Sequence, residues 1–152
     1  MMGRQQTQGE LWAPASNVFA QIPEDHILRR VDKALDLSFV REEVRGCYGY
    51  NGNPSVDPVV LMKMMLLLFL EDVASERELM RIIPMRLDYL WFLGFGLNDE
   101  IADHSVLSKA RRRWGVEVFE QFFVRSVHQC VEAGLVEGHK LHIDASLVRA
   151  DA

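Results

Sequence analysis

VVLMKMMLLLFL, residues 59–70, is the most apolar stretch of the chain, and whether it crosses a membrane or fills a core decides the kind of protein. A membrane-spanning helix needs about 20 consecutive apolar residues. This run is shorter, is interrupted by Lys63 and ends on Glu71 and Asp72, so a membrane span is excluded. What remains is a helix buried on most of its circumference within an all-helical core. Its start is written just upstream. Asp57 can accept a free backbone N–H of the first turn, and Pro58 at the first helical position has no N–H to lose.

Working outward, Ser75 followed by Glu78 has the spacing of a capping box and opens a short helix, SERELMRII, that must close before Pro84. Arg86 to Phe95 forms another, with Leu87, Leu90, Trp91 and Phe95 on related faces and Gly94 and Gly96 to stop it. After a polar turn, Asp103 or Ser105 caps the helix VLSKARRRW, which Gly115 interrupts. In VEVFEQFFVRSVHQCVEAG, Val118, Phe119, Phe122, Phe123, Val127, Cys130 and Val131 keep the three-and-four rhythm of an amphipathic helix up to Gly134. Upstream, Ile27, Val31, Leu35 and Val40 are helix-spaced, with a break near Leu37, and GCYGYNGNPSVDP is a loop. Only the tail changes period. In HKLHID, Leu141 and Ile143 alternate with Lys140, His142 and Asp144, the pattern of a strand with no second strand to pair with.

The composition, 49% hydrophobic and 26% charged over 152 residues, is that of one ordinary globular domain. A net charge of -5 argues against a uniformly basic coat but says nothing of local patches. Cys47 and Cys130 belong to no CxxC or Cys/His cluster, so neither a disulfide framework nor a zinc ribbon is supported, and two reduced thiols in a cytoplasmic protein are expected. MMGRQQTQGELW lacks the apolar segment of a signal peptide and reads as a loose leader.

Two stretches can carry chemistry. Lys109, Arg111, Arg112 and Arg113 place four cations within five residues, with no acid before Glu117, and Ser105 and Ser108 stand near the same helix start. Such a helix can lie along a DNA groove, its cations neutralising phosphates and its first residues reaching base edges. The plain alternative is a solvated charged face. Trp91, Phe92, Phe95 and Trp114 have the spacing of core residues rather than of a base-stacking platform, and Met62, Met64 and Met65 are core filler. The second stretch is Asp144 with Ala145 and Ser146. A carboxylate on a strand can be a Mg²⁺ ligand for phosphoryl transfer, but magnesium usually needs more than one, and only His142 shares the strand face.

The blocks DLSFVREEV (36–44), PSVDPVVLMKMMLLLFLEDVASERELMRII (54–83), LDYLWFLGF (87–95), DHSVLSKARRR (103–113) and EAGLVEGHKLHIDASLVRADA (132–152) come in a familiar order. Together they resemble the N-terminal portion of DDE transposases of bacterial insertion sequences, in the lineage related to insertion sequence five. The resemblance implies a helical region that recognises double-stranded terminal inverted repeats and assembles the transposase on DNA. It also implies that Asp144 matches the first acid of the DDE triad, with Ala145 where the family has glycine. The second aspartate and the glutamate would lie beyond Ala152, so the chain is expected to be the front part of a transposase that cannot cleave DNA alone. One carboxylate cannot fix two metals about 4 Å apart for in-line displacement.

The expected architecture is all-α, with a helix-turn-helix-like part and one orphan β-strand at the C-terminus. Residues 1–23 form a flexible leader, 24–137 a helical DNA-binding and assembly domain, and 138–152 the start of a truncated RNase H-like domain. DNA contacts fall to Ser105, Ser108, Lys109, Arg111, Arg112 and Arg113. No cofactor is expected for this chain; Mg²⁺ is implied for a complete transposase, with Asp144 as ligand. Expected partners are inverted-repeat DNA and a second copy or a full-length transposase, with no membrane. Two other readings stay open: a helical oligomerisation module that inhibits a full-length transposase, and half of a split two-metal strand-transfer enzyme.

Overall fold

A computed structural model describes residues 1–4 and 18–136, and within them seven α-helices succeed one another. They are α1 (Ile27–Ala34), α2 (Ser38–Val44), α3 (Pro58–Leu70), α4 (Glu76–Ile82), α5 (Leu87–Leu93), α6 (Val106–Trp114) and α7 (Val116–Glu132). There is no strand among the described residues, and the all-α class holds; the expected strand in HKLHID lies outside them. No described helix is long and apolar enough to cross a membrane.

The apolar run is α3, and the protein is built around it. Val60, Leu61, Met62, Met64, Met65, Leu66 and Leu67 are all buried, which covers every side of the helix, and α2, α4, α5, α6 and α7 pack against it. Lys63 is the exception that the packing accommodates. Its ammonium donates to Asp32 of α1 (2.8 Å) and to the Phe92 carbonyl of α5 (2.9 Å), and it lies 4.9 Å from the Phe92 ring centre. A half-buried charge among apolar residues is stable only when so partnered.

The start of α3 is fixed as its sequence requires. Asp57 Oδ1 accepts the Val59 N–H at 2.9 Å, and the same carboxylate takes a forked pair from Arg41 of α2 at 2.6–3.2 Å. Asp57 is only 3% exposed, so one side chain caps α3 and fastens α2 to it. At α4, Ser75 accepts the Glu78 N–H (3.1 Å), but the Glu78 carboxylate turns outward to Arg81, so only half of the capping box forms.

The break near Leu37 is held by a residue far away in sequence. Gln129 of α7 accepts the Asp36 N–H (2.8 Å) and donates to the Asp36 carbonyl (3.1 Å), closing the gap in the backbone between α1 and α2 as a strand partner would. Residues 18–22, within the stretch read as leader, are tied to α1: Arg29 donates to the carbonyls of Phe19 (2.9 Å) and Ile22 (3.2 Å), and Ile22 is buried.

Two connections position α6. Residues 94–105 separate it from α5, a link longer than the three- or four-residue turn of a helix-turn-helix, and α6 packs on α3 and α7 instead. At its other end a single residue, Gly115, makes the corner into α7 with φ 90° and ψ 141°, a conformation open to glycine and strained for any side chain.

Asp88 of α5 joins Arg86 (2.9 Å) to His26, whose Nε2 lies 3.4 Å from the carboxylate while its Nδ1 caps α1. Burial pushes the Asp88 carboxyl up, but the Arg86 guanidinium, together with the Tyr89 N–H and His26, outweighs this and the net shift is downward. Burial likewise pushes the neighbouring Tyr89 phenol up to about 12.

Two measurements check this account. Asp57→Ala, followed by urea denaturation, should cost about 2–3 kcal/mol through the lost cap and the stranded Arg41, with Asp57→Asn recovering about 1 kcal/mol by keeping the cap. Because the folded Asp88 carboxyl is shifted down, its contribution is complete above the unfolded value of about 3.9 and is lost as pH falls through the folded one. Stability measured from about pH 5 to pH 3 should therefore fall less steeply in Asp88→Asn than in the parent.

Candidate nucleic-acid interface

The basic helix α6 begins at Asp103, whose carboxylate accepts the Ser105 N–H (2.9 Å) and whose carbonyl accepts the Val106 N–H (3.1 Å). Hydrogen bonding from the Ser105 side chain and N–H holds the Asp103 carboxyl below its usual range, with His104 and Lys109 adding to the effect. Of the two capping residues considered from sequence, Asp103 does the work and the Ser105 hydroxyl makes no capping bond. The Ser108 hydroxyl donates to the Ser105 carbonyl at 2.9 Å, so it is used within the helix.

Leu107, Ala110, Arg111 and Trp114 form the buried stripe of α6. Arg111 is 8% exposed. Its guanidinium is bonded to Glu76 at the first position of α4, approaches Met65 Sδ of α3 at 3.9 Å and lies 5.6 Å from the Phe119 ring centre of α7. Arg111 therefore does not belong with the outward cations. It is an internal fastener joining four helices, and a phosphate cannot reach it without opening the core.

Lys109, Arg112 and Arg113 are exposed on the opposite side of the helix. At about 100° per residue they span about 100° of the helix circumference, a single stripe. Among the described residues none of the three forms an ion pair. Arg113 is held over the ring of Tyr48, 4.6 Å from its centre, and the Tyr48 hydroxyl accepts the Trp114 indole N–H at 3.0 Å. At the other end of the helix, Arg77 of α4 comes within 3.4 Å of His104. Arg77 carries no mark of this position in its local sequence; the meeting of α4 with the start of α6 puts it there.

The aromatic residues divide as core residues should. Phe92, Phe95 and Trp114 are buried, and Trp91 is half-buried beneath Arg29 with 4.6 Å to the ring centre. Among the described residues the exposed aromatic is Tyr50, at 97%, in the glycine-rich loop that the sequence marks as a connection. Met62, Met64 and Met65 lie in the core. Cys47 is exposed and Cys130 buried, both as free thiols, and burial pushes the Cys130 thiol up.

Asp144 and His142 lie outside the described residues. Among the described ones no three of histidine, cysteine, aspartate and glutamate are grouped so that they could hold a metal ion.

What this fold and site define is a helical domain that presents a basic stripe without ion-pair partners among the described residues. Residues 16–113 match the transposase domain family DUF772, and since this covers more than half of the chain, the protein belongs to that family. The matched segment takes in α1 to α5 and all of α6 but its last residue, ending at Arg113. No curated protein and no solved structure matches the chain.

If Arg111 is a fastener, Arg111→Met should lower the unfolding free energy by about 3–5 kcal/mol by stranding the buried Glu76 carboxylate. Combining it with Glu76→Gln should recover more than half of that loss in the same denaturation assay.

Proposed function

We propose that this chain is the DNA-binding part of a transposase system and that α6 docks on double-stranded DNA through Lys109, Arg112 and Arg113. One observation carries the reading. In a chain of net charge -5, three exposed cations share a stripe of one helix and lack ion-pair partners among the described residues. A solvated helix face that needed only solubility would gain more from interspersed acids at the three- and four-residue spacing. An unpaired stripe is instead suited to a polyanion, which gains from the release of its counterions.

Membership of a transposase domain family supports duplex DNA as that polyanion, and terminal inverted repeats as the sequence of interest. Ser105 stands at the start of α6, where the side chains of a docked helix meet phosphates or base edges. Ser108 contributes less, since its hydroxyl is engaged with the Ser105 carbonyl. Arg111 takes no part.

Fluorescence anisotropy with a duplex of about three helical turns, titrated over a range of salt, tests the reading. Three phosphate contacts should give a slope of log affinity against log salt near -2.7, at about -0.9 per contact. Lys109→Gln, Arg112→Gln and Arg113→Gln combined should remove most of that slope while leaving the melting temperature within a few degrees. Equal binding by the parent and the triple variant, or self-association without DNA binding, would contradict it.

A further inference from the structure

Tyr48 is the point at which the loop between α2 and α3 touches the basic helix. Of residues 46–54 it alone is partly buried, and the other residues of that segment are exposed. A Cβ placed on Gly46, Gly49 or Gly52 would meet no atom within 4 Å, so the loop stands off the body of the protein on both sides of that contact. What holds it is specific to α6: the Tyr48 hydroxyl accepts from Trp114, and the Tyr48 ring lies under Arg113. The loop is thereby fixed at the C-terminal, most basic end of the helix.

Its chemistry continues that of the helix. Residues 46–56, GCYGYNGNPSV, contain no acid. Tyr50, Asn51 and Asn53 are exposed donors, and Tyr50 stands two residues beyond Tyr48, within about 7 Å of it along the backbone. A 97% exposed tyrosine is poorly explained by folding, since it buries nothing and has no apolar neighbour to cover. Uncharged tyrosine and asparagine side chains are common donors to phosphate oxygens, and glycines let a backbone come close to a sugar-phosphate strand.

We infer that loop 46–54 is a second arm of the nucleic-acid surface, clamped to α6 by Tyr48, and that Tyr50 donates a hydrogen bond to the backbone of the same duplex that Lys109, Arg112 and Arg113 engage. Tyr48 is a positioning residue: it sets where Arg113 and the loop lie and does not itself meet DNA. This rests on the proposed DNA-binding role of α6 and extends it to a segment of different sequence and no net charge.

The test uses the full chain and the same duplex of about three helical turns. Tyr50→Ala should weaken binding about tenfold, as expected for a hydrogen bond to a charged group, without changing the salt slope, because no cation is lost. Tyr48→Ala should both weaken binding and lower the slope by releasing Arg113, whereas Tyr48→Phe, which keeps the ring under the guanidinium, should keep the slope. Since Tyr50 is almost fully exposed, Tyr50→Ala should leave the melting temperature unchanged, which separates lost contact from lost folding. Unchanged affinity in Tyr50→Ala, with the parent binding DNA, overturns the loop arm and leaves the α6 reading standing. A parent that does not bind overturns both. A Tyr50→Ala variant that alters self-association but not DNA affinity would make the loop a protein contact and likewise overturn the inference.

Discussion

A helix that is apolar on every side cannot be left on a surface, and the rest of this fold answers that constraint. α3 buries Val60, Leu61, Met62, Met64, Met65, Leu66 and Leu67 in succession, so no single partner can cover it and five helices gather round it. Each fully buried aliphatic side chain is worth about 1.5–3 kcal/mol relative to exposure, which makes α3 the largest single source of burial in the domain. Apart from the 17-residue α7, the surrounding helices run only seven to nine residues, too short to hold their conformation alone in water. Their length and order make sense as the staves around one central rod.

Polar side chains then decide how those staves are oriented. Arg41 with Asp57, Lys63 with Asp32, and Arg111 with Glu76 each join different helices. Among the described residues no buried side-chain nitrogen or oxygen lacks a hydrogen-bond partner. Ion pairs in such places add little net stability, since desolvation offsets much of the attraction, but a wrong rotation of a helix would strand a charge and is penalised heavily. This is how α6 comes to have two unlike sides. The Glu76 pair commits Arg111 to the interior, and the neighbouring cations Lys109, Arg112 and Arg113 are thereby turned outward as a set.

Much of this was legible in the sequence. The length of the apolar run, its interruption by Lys63 and the Asp57–Pro58 start gave the right helix in the right environment, because capping and burial act on adjacent residues. The breaks at Leu37, Pro84, Gly94 and Gly115 fell where the helices stop, for the same local reason. Arg111 is instructive in the other direction. Counted by charge it joins its neighbours, yet it lies four residues after Leu107 and three before Trp114, on the apolar stripe. Periodicity held the signal, and composition hid it. The Gln129 bridge to Asp36 had no such signal, since a glutamine and a backbone gap 93 residues apart share no pattern. Nor did the exposed loop, because nothing in GCYGYNGNPSV says that Tyr48 will rest on Trp114 and Arg113.

By itself the sequence determined the helical class, the placement of the helices along the chain and the central role of α3, since these follow from hydrophobic period and from caps read over a few residues. Only the tertiary structure decided which of four adjacent cations face solvent, which carboxylate neutralises the fourth, and which loop stands beside them. The reason is physical: burial and capping are properties of neighbours in sequence, whereas the partner of a charge is whatever the packing of distant helices brings within about 4 Å.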